Sequence, residues 1–138
     1  MIAIIVSAHG ALADELLKSS ALISGEQGNV TAITFVPGED QSHLIDKYTE
    51  AISHMDTSEG VLFLCDLFGG SPFNAASRMA ASESNWDVVT GVNLPMLLEL
   101  FGLRSSSTVA QLAETAKQAG VMGIQSLKSL KPIEEEEL

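Results

Sequence analysis

The sequence predicts an α/β fold in which helices cover both faces of a doubly wound, mainly parallel β-sheet. Short runs of branched apolar residues alternate along the chain with longer segments whose apolar residues recur at helical spacing. The first run, Ile2 to Val6, is continuously apolar, which is typical of a strand covered on both faces. Strict alternation of strands and helices implies right-handed crossovers, and such folds bind ligands beyond the carboxyl ends of their strands.

Four segments have the length and composition of strands. In chain order they are Ile2 to Val6, Val30 to Val36, Val61 to Cys65 and Asp87 to Thr90. Pro37 and Gly38 end the second of them. A further short apolar segment near the end of the chain, Val121 to Leu127, is a candidate closing strand.

Five segments carry apolar residues at helical spacing. They are Leu12 to Ile23, Leu44 to Met55, Pro72 to about Ala81, a segment starting near Leu94, and Ser105 to Ala119. Gly25 and Gly120 are predicted to end the first and the last of these helices. Pro95 is compatible with the fourth helix because proline is tolerated in a first turn.

Length and composition predict one domain. The chain has 138 residues, enough for one sizeable core but too few for two comfortable domains. We expect the domain to span residues 1–130. Residues 131–138 contain Glu134 to Glu137 after Pro132, and we expect them to form a solvated acidic tail.

Charge and cysteine content restrict the partners and the compartment. The 7 Lys and Arg against 18 Asp and Glu give a formal charge of −11, so a nucleic-acid backbone would be repelled. No apolar run approaches the ~20 residues that cross a bilayer. A strand-like segment directly follows Met1, without the features of a signal peptide, and the single Cys65 has no internal disulfide partner. We therefore expect a cytoplasmic protein.

Two polar residues at the carboxyl ends of predicted strands are the candidate site. His9 follows the first strand, and Asp66 follows the third. If the first strand lies between the second and third, both residues face one crevice at the point where the strand order reverses. A carboxylate that accepts a proton from one imidazole nitrogen fixes the tautomer, and the other nitrogen is then free to act as a nucleophile.

The glycine-rich segment after Asp66 predicts the start of a helix beside this crevice. Gly69 and Gly70 allow a tight turn, Ser71 is a good N-cap, and Pro72 suits a first turn. The N-terminus of a helix presents unpaired N–H groups and the positive end of the helix dipole. This helix is thus expected to hold a phosphate without a basic side chain.

Other activities are compatible with some of these residues. A hydrolase could use Ser71, His9 and Asp66, but "GGSPF" is not a G-x-S-x-G elbow and Pro72 lacks the N–H that an oxyanion hole requires. A receiver domain needs clustered acids where this chain has His9. A flavin or nucleotide module would have few aromatic rings to hold its ligand, since the chain has one Trp and one Tyr. No spacing of residues indicates a metal site, and no cofactor is expected.

Four segments of the chain resemble the IIA component of the mannose-class bacterial sugar phosphotransferase system. They are "IAIIVSAHG", "FVPGED", "GVLFLCDLFGGSPFNAASRMA" and "VVTGVNLPMLLEL". The resemblance implies that His9 accepts a phosphoryl group from the phosphocarrier protein HPr and passes it to a IIB component. It also implies that Asp66 orients and stabilises His9, and that Gly70 and Ser71 support the phosphate.

The resemblance further implies partners and an assembly. We expect a homodimer in which the last strand, within Val121 to Leu127, crosses to the partner's sheet. We expect IIB on a separate chain, and through it the IIC/IID membrane complex, with no sugar bound by this subunit and the transported sugar left open. Some relatives carry tryptophan where this chain has Ala11 and Phe68, which affects the rim of the site. The alternative is the phosphotransfer subunit of a dihydroxyacetone kinase, which shares the histidine-ended strand but generally not "GGSPFNAAS".

Overall fold

Four parallel strands form the sheet in the computed structural model, which describes residues 1–130. The strands are β1 (Ala3–His9), β2 (Val30–Phe35), β3 (Val61–Cys65) and β4 (Trp86–Thr90). Their spatial order is β2-β1-β3-β4, and every neighbouring pair is parallel. The order confirms that the first strand lies between the second and third. The acidic tail expected for residues 131–138 lies outside the described residues.

Helices cover both faces of the sheet, as the alternating pattern predicts. They are α1 (Leu12–Ser24), α2 (Gln41–Ser53), α3 (Ser71–Ala80), α4 (Leu94–Leu103) and α5 (Val109–Met122), with short 3-10 helices at Arg104–Ser106 and Leu127–Ser129. Gly25 directly follows α1 with a φ of 78°, a conformation that glycine adopts without strain, as predicted for the end of this helix. No helix among residues 1–130 has the length and apolar character needed to cross a membrane.

The two central strands are buried because helices cover them on both sides. Side chains of alternate residues enter two separate cores, since successive residues of a strand point to opposite faces. Ile4 and Leu62 belong to the core under α1, α4 and α5. Ile5 and Phe63 belong to the core under α2 and α3. Each such side chain contributes about 1.5–3 kcal/mol by burial, which fixes β1 and β3 as the rigid centre of the sheet.

A buried arginine binds the amino ends of two strands of the sheet. Arg104 is 1% exposed, and its guanidinium donates to the carbonyl oxygens of Ile2, Gly28 and Asn29 at 2.7–2.9 Å. These carbonyls lie at the amino ends of β1 and β2, so Arg104 ties the end of α4 to both strands. Burial lowers the pKa of this guanidinium. The sequence reasoning did not single out Arg104.

The last helix differs from its prediction at both ends. It begins at Val109 rather than Ser105, because the Thr108 hydroxyl accepts the Gln111 N–H and forms a capping box. It continues to Met122, so Gly120 lies buried inside the helix and does not end it.

The closing strand predicted within Val121 to Leu127 is wrong for the single chain. Residues 121–122 complete α5, and a 3-10 helix begins at Leu127. A strand needs a neighbour for its backbone hydrogen bonds, and none of residues 1–120 pairs with this segment. Short apolar runs do not distinguish a strand from a helix end by pattern alone, which is the reason for the error.

Candidate functional site

His9 and Asp66 meet at the carboxyl edge of the sheet. His9 is the last residue of β1, and Asp66 directly follows β3. The His9 ring Nδ1 lies 2.9 Å from Asp66 Oδ2, and the His9 backbone N–H donates to the same oxygen at 3.0 Å. The other carboxylate oxygen accepts the N–H of Leu67 at 3.0 Å. The structure therefore brings together the two residues that the sequence singles out, at the point where the strand order reverses.

The carboxylate of Asp66 is held in its ionised form. Its burial acts to raise the pKa of Asp66, but hydrogen bonds from the His9 backbone and ring outweigh this effect, and the pKa lies below its usual value. An ionised carboxylate only accepts hydrogen bonds, so the proton of a neutral His9 ring sits on Nδ1. The lone pair of Nε2 is then free. The His9 side chain is 44% exposed and that of Asp66 is 13% exposed, so the imidazole ring is accessible to solvent while the carboxylate is largely covered.

Gly70 lies against the free edge of the His9 ring. A Cβ atom at position 70 would stand 3.1 Å from His9 Cε1 and 3.8 Å from Nε2. The φ of Gly70 is −75°, which any residue adopts, so space rather than backbone conformation favours glycine here. Gly69 is different, because its φ of +80° favours glycine through the turn itself.

The start of α3 is displaced by one residue from its prediction. Gly70 is the N-cap and Ser71 is the first helical residue, with no side-chain cap, so the prediction of Ser71 as the N-cap is wrong. Pro72 occupies the second position, where its missing N–H leaves nothing unpaired. The backbone N–H groups of Ser71 and Phe73 lie in the first turn and have no carbonyl behind them within the helix. The N-terminus of α3, which is the positive end of the helix dipole, lies next to Nε2, because Gly70 packs against the His9 ring.

Three residues that the sequence did not indicate as site residues contact the site or the elements that carry it. Asn74 donates its side-chain N–H to the Gly69 carbonyl at 3.1 Å and closes the glycine turn. The Phe35 ring meets His9 edge to face, with centroids 5.6 Å apart. Tyr48 bonds to Ser7 and to the Pro72 carbonyl. Tyr48 lies within the helix predicted over Leu44 to Met55, and the need of a buried tyrosine hydroxyl for a partner was the available signal.

Exposed apolar side chains follow His9 and Asp66 along the chain, and another follows the neighbouring strand β2. Leu67 and Phe68, directly after Asp66, are 58% and 81% exposed, and Leu12 and Val36 are also exposed. Large apolar side chains that remain together in solvent are typical of a surface that contacts another protein. Among residues 1–130, no group of three or more His, Cys, Asp and Glu side chains is arranged to hold a metal ion.

A sequence model of a protein family matches most of the chain. The family is described as the PTS system fructose IIA component, or EIIA-man, and residues 3–117 match it. The chain belongs to this mannose-class IIA family. The match includes every residue of the site described above.

Individual relatives agree with this assignment. The mannose-specific EIIAB component of Escherichia coli K12 is 51% identical over 98 residues, which are 71% of this chain and 30% of that protein. The fructose-specific EIIA component of Bacillus subtilis is 41% identical over 112 residues, 81% of this chain and 77% of the relative. The aligned part of the chain thus spans less than a third of the length of the Escherichia coli relative.

A solved structure shows the same fold. The crystal structure of a phosphotransferase system component EIIA from Streptococcus agalactiae superposes with a TM-score of 0.86 and 30% identity, covering 94% of this chain and all of that one. This family member therefore shares the architecture of IIA components over nearly its whole length.

Substitution of Gly70 by alanine tests the close approach at the His9 ring. We expect Gly70→Ala to fold, because its φ suits alanine, and to move the ring by roughly a few tenths of an ångström to relieve the 3.1 Å contact. The shift is measured as a displaced His9 Cε1–H cross-peak in a carbon–proton NMR spectrum. Gly102→Ala in α4 is the control, because a Cβ there meets nothing within 4 Å. An unmoved His9 signal in Gly70→Ala would contradict the packing described.

Proposed function

We propose that the protein is a cytoplasmic phosphocarrier of a bacterial sugar phosphotransferase system. In this role His9 accepts a phosphoryl group from phospho-HPr and passes it to a IIB component on a separate chain. The observation that carries the proposal is the free Nε2 of His9, with Nδ1 held by Asp66 and the N-terminus of α3 on the other side. Membership of the IIA family favours this role over the phosphotransfer subunit of a dihydroxyacetone kinase.

The proposed transfer is an in-line displacement at phosphorus. The lone pair of His9 Nε2 forms a new N–P bond while the N–P bond of the HPr phosphohistidine breaks, and the HPr ring nitrogen keeps the electron pair. The protein contributes mainly position and charge stabilisation, as in other phosphoryl transfers. The step is nearly balanced in energy because one phosphohistidine replaces another, so the same site can donate the group to IIB.

The chain's own residues support both charges that the product carries. The phosphorylated ring keeps its proton on Nδ1 and is positive, and the ionised Asp66 stabilises it at 2.9 Å. The phosphoryl oxygens are negative, and we expect the N–H groups of Gly70 and Ser71 at the start of α3 to support them. These roles for Gly70 and Ser71 are part of the proposal. No metal ion and no cofactor takes part in it.

The partners follow from the same proposal. The exposed Leu67 and Phe68 beside the site suit docking of HPr and of IIB in turn, since both must reach Nε2. IIB connects this chain to the IIC/IID membrane complex, where the sugar is bound. No sugar contacts His9 in this cycle, so the site described does not select the sugar.

A homodimer with exchanged C-terminal segments is also part of the proposal. Within residues 1–130 the outer edge of β4 has no strand beside it. The end of the described chain exposes a series of apolar side chains, each at least half in solvent: Val121, Met122, Ile124, Leu127 and Leu130. An unpaired edge and an apolar segment without a partner both favour pairing with a second copy.

Phosphorylation of His9 is the first test of the proposed function. Incubation with phosphoenolpyruvate, enzyme I and HPr is expected to add one acid-labile phosphoryl group, located on His9 by intact mass and peptide mapping. His9→Ala is expected to take up none, whereas His43→Ala, which removes an exposed histidine at the start of α2, should be labelled like wild type. Unlabelled wild type in the presence of charged HPr would contradict the proposal.

Substitution of Asp66 tests its charge. Asp66→Asn retains an acceptor for His9 but removes the negative charge, so the positive phosphorylated ring loses about 1.5–3 kcal/mol of charge-assisted bonding. We expect single-turnover transfer from phospho-HPr to slow by about 10- to 100-fold. Asp87→Asn, on the exposed side of β4, removes the same charge far from His9 and serves as the control. Equal rates for both variants would show that Asp66 has no specific role.

The oligomeric state tests the proposed exchange. Light scattering is expected to give the mass of two chains, and a chain that ends before Val121 is expected to give one, because it lacks the exposed apolar segment. A monomeric full chain at micromolar concentration would exclude the proposed dimer.

A further inference from the structure

A buried tyrosine links the strand that carries His9 to the helix that faces it. Tyr48 of α2 is fully buried, and its hydroxyl lies 2.6 Å from Ser7 Oγ and 3.0 Å from the Pro72 carbonyl oxygen. Ser7 is fully buried as well. Both hydroxyl groups would be costly to bury unpaired, and here each has a partner.

The direction of the two hydrogen bonds follows from the chemistry of the groups. The Pro72 carbonyl only accepts, so the single proton of the Tyr48 hydroxyl is donated to it. The Tyr48 oxygen then accepts, and Ser7 donates. Burial raises the pKa of Tyr48 far above its usual value, which keeps the proton on the hydroxyl throughout the physiological range.

This chain of hydrogen bonds joins β1, which carries His9, to the first turn of α3, which lies next to the His9 ring. Ser7 is two residues before His9 in β1, so both side chains lie on the same face of the sheet. Pro72 is two residues after Gly70, in the first turn of α3. The spacing between β1 and this turn determines how closely the helix N-terminus approaches Nε2, and it is tight, since a Cβ at Gly70 would stand 3.1 Å from the ring.

Packing and the hydroxyl group of Tyr48 have separate roles. The Tyr48 ring packs against Phe63 with centroids 5.2 Å apart, and a phenylalanine at position 48 would keep this contact. The hydroxyl adds no apolar burial. The hydroxyl instead fixes the distance between Ser7 and Pro72, two residues that are distant in sequence.

We propose that Tyr48 is a positioning residue for phosphoryl transfer, whose hydroxyl, together with Ser7, sets the distance between the His9 ring and the N-terminus of α3. The inference rests on the proposed function for its catalytic consequence. The positional part is a property of the unphosphorylated protein. Tyr48 and Ser7 are buried, so neither is expected to touch a docking protein.

The NMR signal of His9 tests the positional part. We expect Tyr48→Phe and Ser7→Ala both to move the His9 Cε1–H cross-peak while the protein stays folded. Leu112→Val, a buried substitution in the core on the other face of the sheet, is the control for general loss of stability. A His9 signal that stays in place in both Tyr48→Phe and Ser7→Ala, or that moves equally in Leu112→Val, would overturn the proposal. Ser7→Ala is the milder change and decides the question if Tyr48→Phe does not fold.

Transfer kinetics test the catalytic part. In single-turnover reactions with phospho-HPr, Tyr48→Phe is expected to lower the maximal rate about tenfold, since small misplacements of a reacting group are costly. The HPr concentration at half-maximal rate should not change, because Tyr48 is buried. The double variant Ser7→Ala with Tyr48→Phe should be no slower than the slower single variant, since both substitutions break one chain of bonds.

The outcomes separate the two proposals. A wild-type protein that takes up no phosphoryl group contradicts the proposed function, and the NMR comparison then decides the positioning role of Tyr48 by itself. If wild type is active, two results overturn the inference and leave the proposed function standing. One is a maximal rate of Tyr48→Phe equal to that of wild type, and the other is additive effects of Tyr48→Phe and Ser7→Ala on that rate.

Discussion

The parallel ladder between β1 and β3 ends at the pair of Ser7 and Cys65, and just beyond it the His9 backbone N–H donates to the Asp66 carboxylate at 3.0 Å. This register brings the His9 ring to within 2.9 Å of the Asp66 carboxylate, although the two residues are 57 positions apart in sequence. The ladder is rigid because helices bury both faces of both strands. A one-residue slip would send every side chain of β1 to the opposite face and separate the pair. The chemistry proposed at Nε2 thus depends on the same burial that stabilises the sheet.

Charge at the site is balanced by dipoles and by one carboxylate rather than by basic side chains. In the proposed transfer, Asp66 stabilises the positive phosphorylated ring, and the start of α3 stabilises the negative phosphoryl oxygens. The formal charge of −11 for the whole chain also makes basic protein surfaces better partners than acidic ones.

The predicted elements agree with the structure where a local signal was strong. The continuous apolar runs identified β1 and β3, and Gly25 identified the end of α1, because composition and backbone preference act locally there. The prediction was less accurate where tertiary contacts determine the local conformation. Ser71 is a good N-cap in isolation, yet Gly70 takes that place against the His9 ring. The pattern of Val121 to Leu127 predicts a strand, yet no strand of the described chain pairs with this segment.

The sequence by itself determined the α/β class, the order of most elements, and the placement of His9 and Asp66 at the ends of two strands, since hydrophobic periodicity and turn residues are local properties. The tertiary structure agrees with the expected contact between Nδ1 of His9 and Asp66, and it fixes the distance at 2.9 Å. It also decided the roles of Tyr48 and Arg104, whose hydrogen-bond partners lie tens of residues away along the chain. A buried polar group must be paired, but its partner is fixed by the packing of the folded chain and cannot be read from its neighbours in sequence.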